Sequence, residues 1–171
     1  PLPSSIEEIL NNPCPIWPSK KVRETHMLTL IPSHIDGKPL TLEYLGEIVK
    51  SPKGGGHASG FQALCPGGNE KAQAPKNYWA LMTKDVIPNS RDKAYSDQCK
   101  LLSRYAGYEV PRIYEAAISI FMEHARSGQR LYGDEPRTLT RCQETYKEKP
   151  WEMVVGGFGA EGLCFHRSYR D

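Results

Sequence analysis

The chain has 171 residues, 39% of them hydrophobic and 25% charged, with a formal net charge of +2. A chain of that length buries about 70% of its extended surface, enough for one domain with a true core, and the composition excludes collagen, coiled coil and wholesale disorder. The near-neutral balance argues against a nucleic-acid partner, and no run of about 18 apolar residues is present to cross a membrane.

Ser5-Ile6-Glu7-Glu8 has the order of a capping box, so a short helix is expected from Ile6, stopped by Asn11-Asn12-Pro13. Three prolines and Trp17 make residues 13–19 an extended connector. Residues 25–31 read as a strand, with Leu28 and Leu30 on one face and Met27 and Ile31 on the other. Apolar groups on both faces predict a central strand. Ile35-Asp36-Gly37-Lys38 has the chemistry of a tight turn. Thr41 is placed to cap a helix carrying Leu42, Leu45, Ile48 and Val49.

Residues 51–77 form a long Gly/Pro-rich loop without periodicity, predicted to be the most mobile internal segment. Residues 78–86 form the second predicted strand. A helix is expected over 90–106, capped by Ser90, with Tyr95, Cys99, Leu102 and Tyr105 as its stripe and Gly107 beyond its end. Pro111 opens the strongest helix, in which Ile113, Ala116, Ala117, Ile120, Phe121 and His124 recur at helical spacing until Gly128. The last third reads as strands at 138–142, 151–155 and 163–169. Gly156 to Gly162 forms the glycine-rich turn between the last two, longer than the favoured two residues. These elements predict an α+β fold: an antiparallel or mixed sheet of about five strands, with two main helices packed on one face.

Several strings stand together in this chain: Cys14-Pro15-Ile16-Trp17-Pro18, Glu24-Thr25-His26, Gly37-Lys38-Pro39-Leu40-Thr41-Leu42 and Pro52-Lys53-Gly54-Gly55-Gly56-His57. Further along come Tyr78-Trp79-Ala80-Leu81-Met82-Thr83-Lys84-Asp85-Val86, Tyr108-Glu109-Val110-Pro111, Ser127-Gly128-Gln129-Arg130-Leu131-Tyr132, Thr140-Arg141-Cys142-Gln143-Glu144 and Val154-Val155-Gly156-Gly157-Phe158. Over most of its length the chain resembles an uncharacterised domain of chlamydia-like, amoeba-associated bacteria. It departs from that pattern at Arg137, where the family usually has an aromatic residue. The resemblance implies a biological context and no chemistry. With Pro1 at the start and no signal-peptide pattern, the chain is read as a fragment of a longer bacterial protein, cytoplasmic or delivered to a host cell.

Chemistry-bearing residues offer four readings. The five cysteines are odd in number and widely spaced, with no C-x-x-C, so reduced structural thiols are expected rather than a disulfide framework or zinc finger. A thiol site would use Cys142 as nucleophile, activated beside Arg141, with His57 as base and Asp85 to orient it. Cys164 and His166 share a strand face, but a two-ligand pair does not make a metal site, and neither metal nor cofactor is expected. Lys53-Gly54-Gly55-Gly56-His57 lacks the order of a phosphate loop. The polar run from Thr83 to Lys93 joins a strand end to an expected helix start; Lys84, Asp85, Arg91 and Lys93, with His57, are the candidate binding residues, suited to a protein or a small anionic ligand. Tyr132, Tyr146 and Tyr169 are expected on exposed recognition surfaces. A binding or protein-interaction module is the leading reading, and a small Cys/His-dependent hydrolase or transferase the alternative. Composition leaves the oligomeric state open.

Overall fold

The structure is a computed structural model that describes residues 1–63, 69–146 and 151–168. In chain order its elements are α1 (Ile6–Asn11), α2 (Val22–Thr25), β1 (His26–Ile31), β2 (His34–Ile35), β3 (Lys38–Pro39), α3 (Leu42–Ile48) and a 3-10 turn (Lys53–Gly55). Then come β4 (Phe61–Ala63), β5 (Tyr78–Thr83), α4 (Tyr95–Leu102), α5 (Ile113–Ser127), β6 (Leu139–Thr145), β7 (Glu152–Gly159) and β8 (Gly162–Arg167). The fold is α+β. Its strands divide among small sheets: β1 with β5, β2 with β3, and a four-stranded sheet in the order β4-β8-β7-β6. β4 lies parallel to β8 and the other pairings are antiparallel. Among the described residues no sheet exceeds four strands, so the expected single sheet of about five strands is divided into smaller ones.

α5 is the spine. The predicted stripe is buried, with Ile113, Ala116, Ala117, Ile120 and Phe121 all at most 2% exposed. Glu115 Oε2 accepts from the N–H of Arg112 at 2.7 Å, and Gly128 ends the helix with φ 75°. The helix packs on β1, β5, β6 and β7, so both larger sheets share it. Phe121 meets Phe158 of β7 edge to face, centroids 5.8 Å apart. Each fully buried Ile or Phe side chain contributes about 1.5–3 kcal/mol by removal from water.

Other local expectations meet mixed outcomes. Thr41 Oγ1 accepts from Tyr44 N–H at 3.1 Å and caps α3 as predicted. Asp36 and Gly37 turn the β2–β3 hairpin with φ of 51° and 74°, as a two-residue turn between paired strands requires. Ser5 precedes α1 but makes no side-chain cap bond. β1 is not a central strand among the described residues: there it pairs with β5 alone, and Leu30 on its outer face is 42% exposed. The second predicted helix shrinks to α4, which starts after Ala94 and buries no residue. Ser90 is therefore not its cap, and α4 meets the sheets only lightly, with Tyr95 6.0 Å from the Arg141 guanidinium of β6, whereas α5 packs on both larger sheets.

The loop over 51–77 carries more structure than its composition implies, and its residues 64–68, Cys65 among them, lie outside the described residues. Phe61–Ala63 adds a parallel strand beside β8, and Ala74 is buried at 1% exposure. A Cβ on Gly162 (φ 117°) would stand 2.2 Å from Gly60, so that close passage needs glycine. The glycine-rich stretch at 156–162 is mostly strand. Gly159 pairs with Gly162, which leaves Ala160 and Glu161 as a two-residue turn. Gly156 (φ 145°) passes within 2.2 Å of Thr138 O, measured from where a Cβ would sit, which lets β7 cross closely over the entry to β6.

A second, smaller cluster lies off the main core. Cys14, Ile16 and Val22 are buried there, with Leu10, Trp17, Ile87, Tyr105 and Tyr108 packed around them. His26 ties it to β1: its ring nitrogens contact Thr25 Oγ1 at 2.9 Å and Tyr108 Oη at 3.1 Å. Burial, reinforced by the Lys84 charge, holds the His26 pKa below 6.5.

Candidate functional site

The sheets leave a gap where β5 and β6 would have met. Each strand pairs on one side only among the described residues. A cleft of about 730 Å³ opens there, lined by β5, by Leu139, Thr140 and Arg141 of β6, and by Glu115 and Ser119 of α5. α4 and residues 107–111 form a further wall. That volume lies within the range of about 300–1,000 Å³ typical of ligand sites.

Tyr132 and Pro111 bracket the gap between β5 and β6, and the cleft runs on past Thr83 to Asp85, Ile87 and Ser90. The Tyr132 hydroxyl donates to Thr83 O at 2.8 Å and lies 3.1 Å from Thr83 Oγ1. Burial pushes its pKa up to about 12, so it remains a donor. This tyrosine is 8% exposed, which corrects its reading as a surface residue; Tyr146 is half-buried, and Tyr169 lies outside the described residues. At the other end Gln143 N–H donates to Pro111 O at 3.0 Å. On the floor Tyr78 donates a short hydrogen bond to Glu115 Oε1. Burial, and then that bond, raises the Tyr78 pKa far above its ordinary value. One turn along the helix, Ser119 is 1% exposed and its Oγ has no hydrogen-bond partner among the described residues. An unsatisfied buried hydroxyl costs about 1–3 kcal/mol, which a ligand atom at that point would recover.

The thiol-site residues do not come together. Cys142 is fully buried in β6, and burial, then the charges of Glu144 and Glu115, raises its thiol pKa well above 9.0. Arg141 beside it does not activate it. The Cys142 end of β6 meets the start of α5, where Ile113 N–H donates to Glu144 at 2.7 Å. His57 sits at the opposite end: its N–H donates to Ala125 O at 2.9 Å and its ring lies 6.0 Å from that of His124. At 1.5 Å per residue, Ile113 and Ala125 are about 18 Å apart along the helix. Asp85 accepts from Val86 N–H at 2.7 Å, and among the described residues no hydrogen bond joins it to His57.

The candidate binding residues of the 83–93 run spread apart. Lys84 Nζ reaches back to Arg23 O at 3.5 Å, and Arg91 Nη2 donates to Thr138 Oγ1 at 3.1 Å. Lys93 is exposed. Because α4 begins at Tyr95, Arg91 and Lys93 precede it and do not stand in its first turn. Of Lys84, Asp85, Arg91, Lys93 and His57, Asp85 alone is among the residues lining the cleft.

Cys14, Cys99, Cys142 and Cys164 are free thiols. Cys164 Sγ faces Gln62 Oε1 at 3.6 Å and His166 faces Arg137 at 3.1 Å, and no group of three metal-ligating side chains occurs among the described residues. No helix of the described residues is long and apolar enough to cross a membrane.

Tyr78, Glu115, Ser119 and Leu139 were not singled out from sequence. A signal did exist for two of them: Glu115 and Ser119 interrupt the most apolar helix at a spacing of four, which places two polar groups on one face. Comparison with known protein families, with curated proteins and with solved structures found no match to this chain.

Proposed function

We propose that the chain is a protein-interaction module of a longer bacterial protein, acting in the cytoplasm or in a host cell, and that its ligand occupies the cleft between β5 and β6. The setting rests on the family resemblance of the quoted strings. The site rests on one observation: two strands, each paired on one side only among the described residues, flank a cleft of about 730 Å³ whose wall holds the Ser119 hydroxyl, without a hydrogen-bond partner among those residues. A protein ligand fits better than a small anion. Among the described residues the charged side chains lining the cleft are Asp85, Glu109, Glu115 and Arg141, three acids to one base, while Lys84 and Arg91 are held by Arg23 O and Thr138 Oγ1.

The test is resonance mapping. A mixed pool of short peptides and small polar fragments is titrated into isotope-labelled protein. Shifts concentrated at Trp79, Leu81, Ser119, Leu139 and Thr140 are expected. Binders whose shifts map away from these residues, or a pool with no binder, would overturn the assignment.

A further inference from the structure

The outward edge of β5 has a defined phase. Lys84 N–H donates to Thr25 O at 2.8 Å, and in the same register Met27 stands opposite Met82, Thr29 opposite Ala80 and Ile31 opposite Tyr78. Antiparallel strands exchange hydrogen bonds at alternate pairs, so these are the bonded ones. Trp79, Leu81 and Thr83 therefore turn their N–H and C=O away from β1. The Thr83 carbonyl agrees with this phase, because it accepts from Tyr132 on the cleft side. No main-chain partner meets Trp79 or Leu81 on that side among the described residues.

β6 follows the same logic. Gly157 N–H donates to Thr138 O at 2.8 Å, so Thr138 and Thr140 face β7 while Leu139 and Arg141 face away. The two edges run in opposite directions along α5. Tyr78 meets Glu115 near the helix start, and the Lys84 charge acts on Glu123 near its end. On β6 the late residues Gln143 and Glu144 meet the helix start. A strand entering the cleft is antiparallel to one edge and parallel to the other.

We infer that the cleft takes an extended, basic segment of a partner polypeptide, which pairs as a strand with the β5 edge at Trp79 and Leu81. This rests on the reading of the chain as a binding module and names the ligand class for the same site. Unpaired main-chain groups in alternation recognise an extended backbone, and the acidic excess of the lining, Asp85, Glu109 and Glu115 against Arg141, selects its charge. A segment paired along the whole of β5, a six-residue strand, spans about 20 Å.

The probe is a random heptapeptide library displayed on phage and panned against the intact chain. Enriched peptides are expected to carry Lys or Arg, and synthetic copies to shift the Ser119 and Leu139 resonances. Methylating single peptide-backbone nitrogens should weaken binding about tenfold at alternate positions and by less than about twofold between them, since each lost hydrogen bond is worth roughly one decade. Leu81→Pro removes an outward N–H and leaves the β1 ladder intact, so it should reproduce a tenfold loss in a folded variant; if it does not fold, the methylation scan alone decides. Asp85→Asn with Glu109→Gln should weaken binding about three- to tenfold at low salt and less at high salt. Peptides that shift the cleft yet tolerate methylation everywhere would overturn strand pairing and leave the binding-module reading standing. Enriched peptides without basic residues would overturn the charge selection. Fragments that bind the cleft where no peptide does would overturn the polypeptide class, and silence from both pools would sink the module reading with it.

Discussion

α5 buries ten of its fifteen residues and α4 none of its eight, although each carries an apolar stripe. The difference lies in what stands opposite. α5 meets β1 and β5 on one side and β6 and β7 on the other, so its stripe is enclosed from two directions. α4 stands at the cleft, where Gln98, Leu101 and Leu102 face open space. Amphipathic spacing makes a helix able to dock; a neighbouring surface decides whether it is buried. The same gap that leaves α4 unenclosed leaves the β5 edge unpaired, so the weakly packed wall and the candidate site are one feature.

Substitutions can break this comparison. Phe121→Ala should cost about 3–5 kcal/mol, because the cavity left beside Phe158 has packed walls on both sheets. A folded variant with an unchanged melting temperature would remove α5 from its central role. Next in size is the response to acid. His26 and His166 both have pKa values lowered below 6.5, first by burial and then by Lys84 and Arg137 respectively. An unfolded histidine takes up its proton near pH 6.5 and these folded ones only at lower pH, so the unfolded state binds more protons in between. Stability should hold above about pH 6.5 and fall as pH drops below it. Because His26 joins Thr25 to Tyr108, amide protection factors, corrected for intrinsic exchange rates, should fall first at pH 5.5 relative to 7.5 in the smaller cluster around Cys14 and Val22. Equal protection at both pH values would contradict this.

Two smaller effects sharpen the contrast between packing and local chemistry. Thr41→Ala should cost about 1 kcal/mol through loss of the α3 cap, whereas Ser5→Ala should be silent in the same melting assay. Leu102→Ala in α4 should cost under about 1 kcal/mol, since its side chain is only half-buried. A loss as large as that for Phe121→Ala would mean α4 is as firmly built in as α5.

What adjacent residues encode was readable along the chain. The α5 stripe, the Thr41 cap, the Asp36-Gly37 turn and the Gly128 stop each depend on groups within a few residues of one another, and each formed where its pattern stood. Ser5 and Ser90 had similar patterns and did not cap, because the backbone there took other routes. Strand partnership was a different matter. Leu28 and Leu30 opposite Met27 and Ile31 announce a strand with two apolar faces, but no local pattern states that β1 has one partner or that β5 and β6 stand apart. That outcome depends on α5 lying across both sheets, and on Tyr132 and Pro111 closing the ends of the gap between them. The cleft residues come from β5, α5 and β6, far apart along the chain, and only packing brought Tyr78, Ser119 and Leu139 to one surface. Cys142 shows the converse: beside an arginine in sequence it looked like an activated thiol, and full burial in β6 reversed the sign of its pKa shift. Nearest-neighbour chemistry is fixed by covalent order, whereas exposure and strand pairing are set by what folds against them.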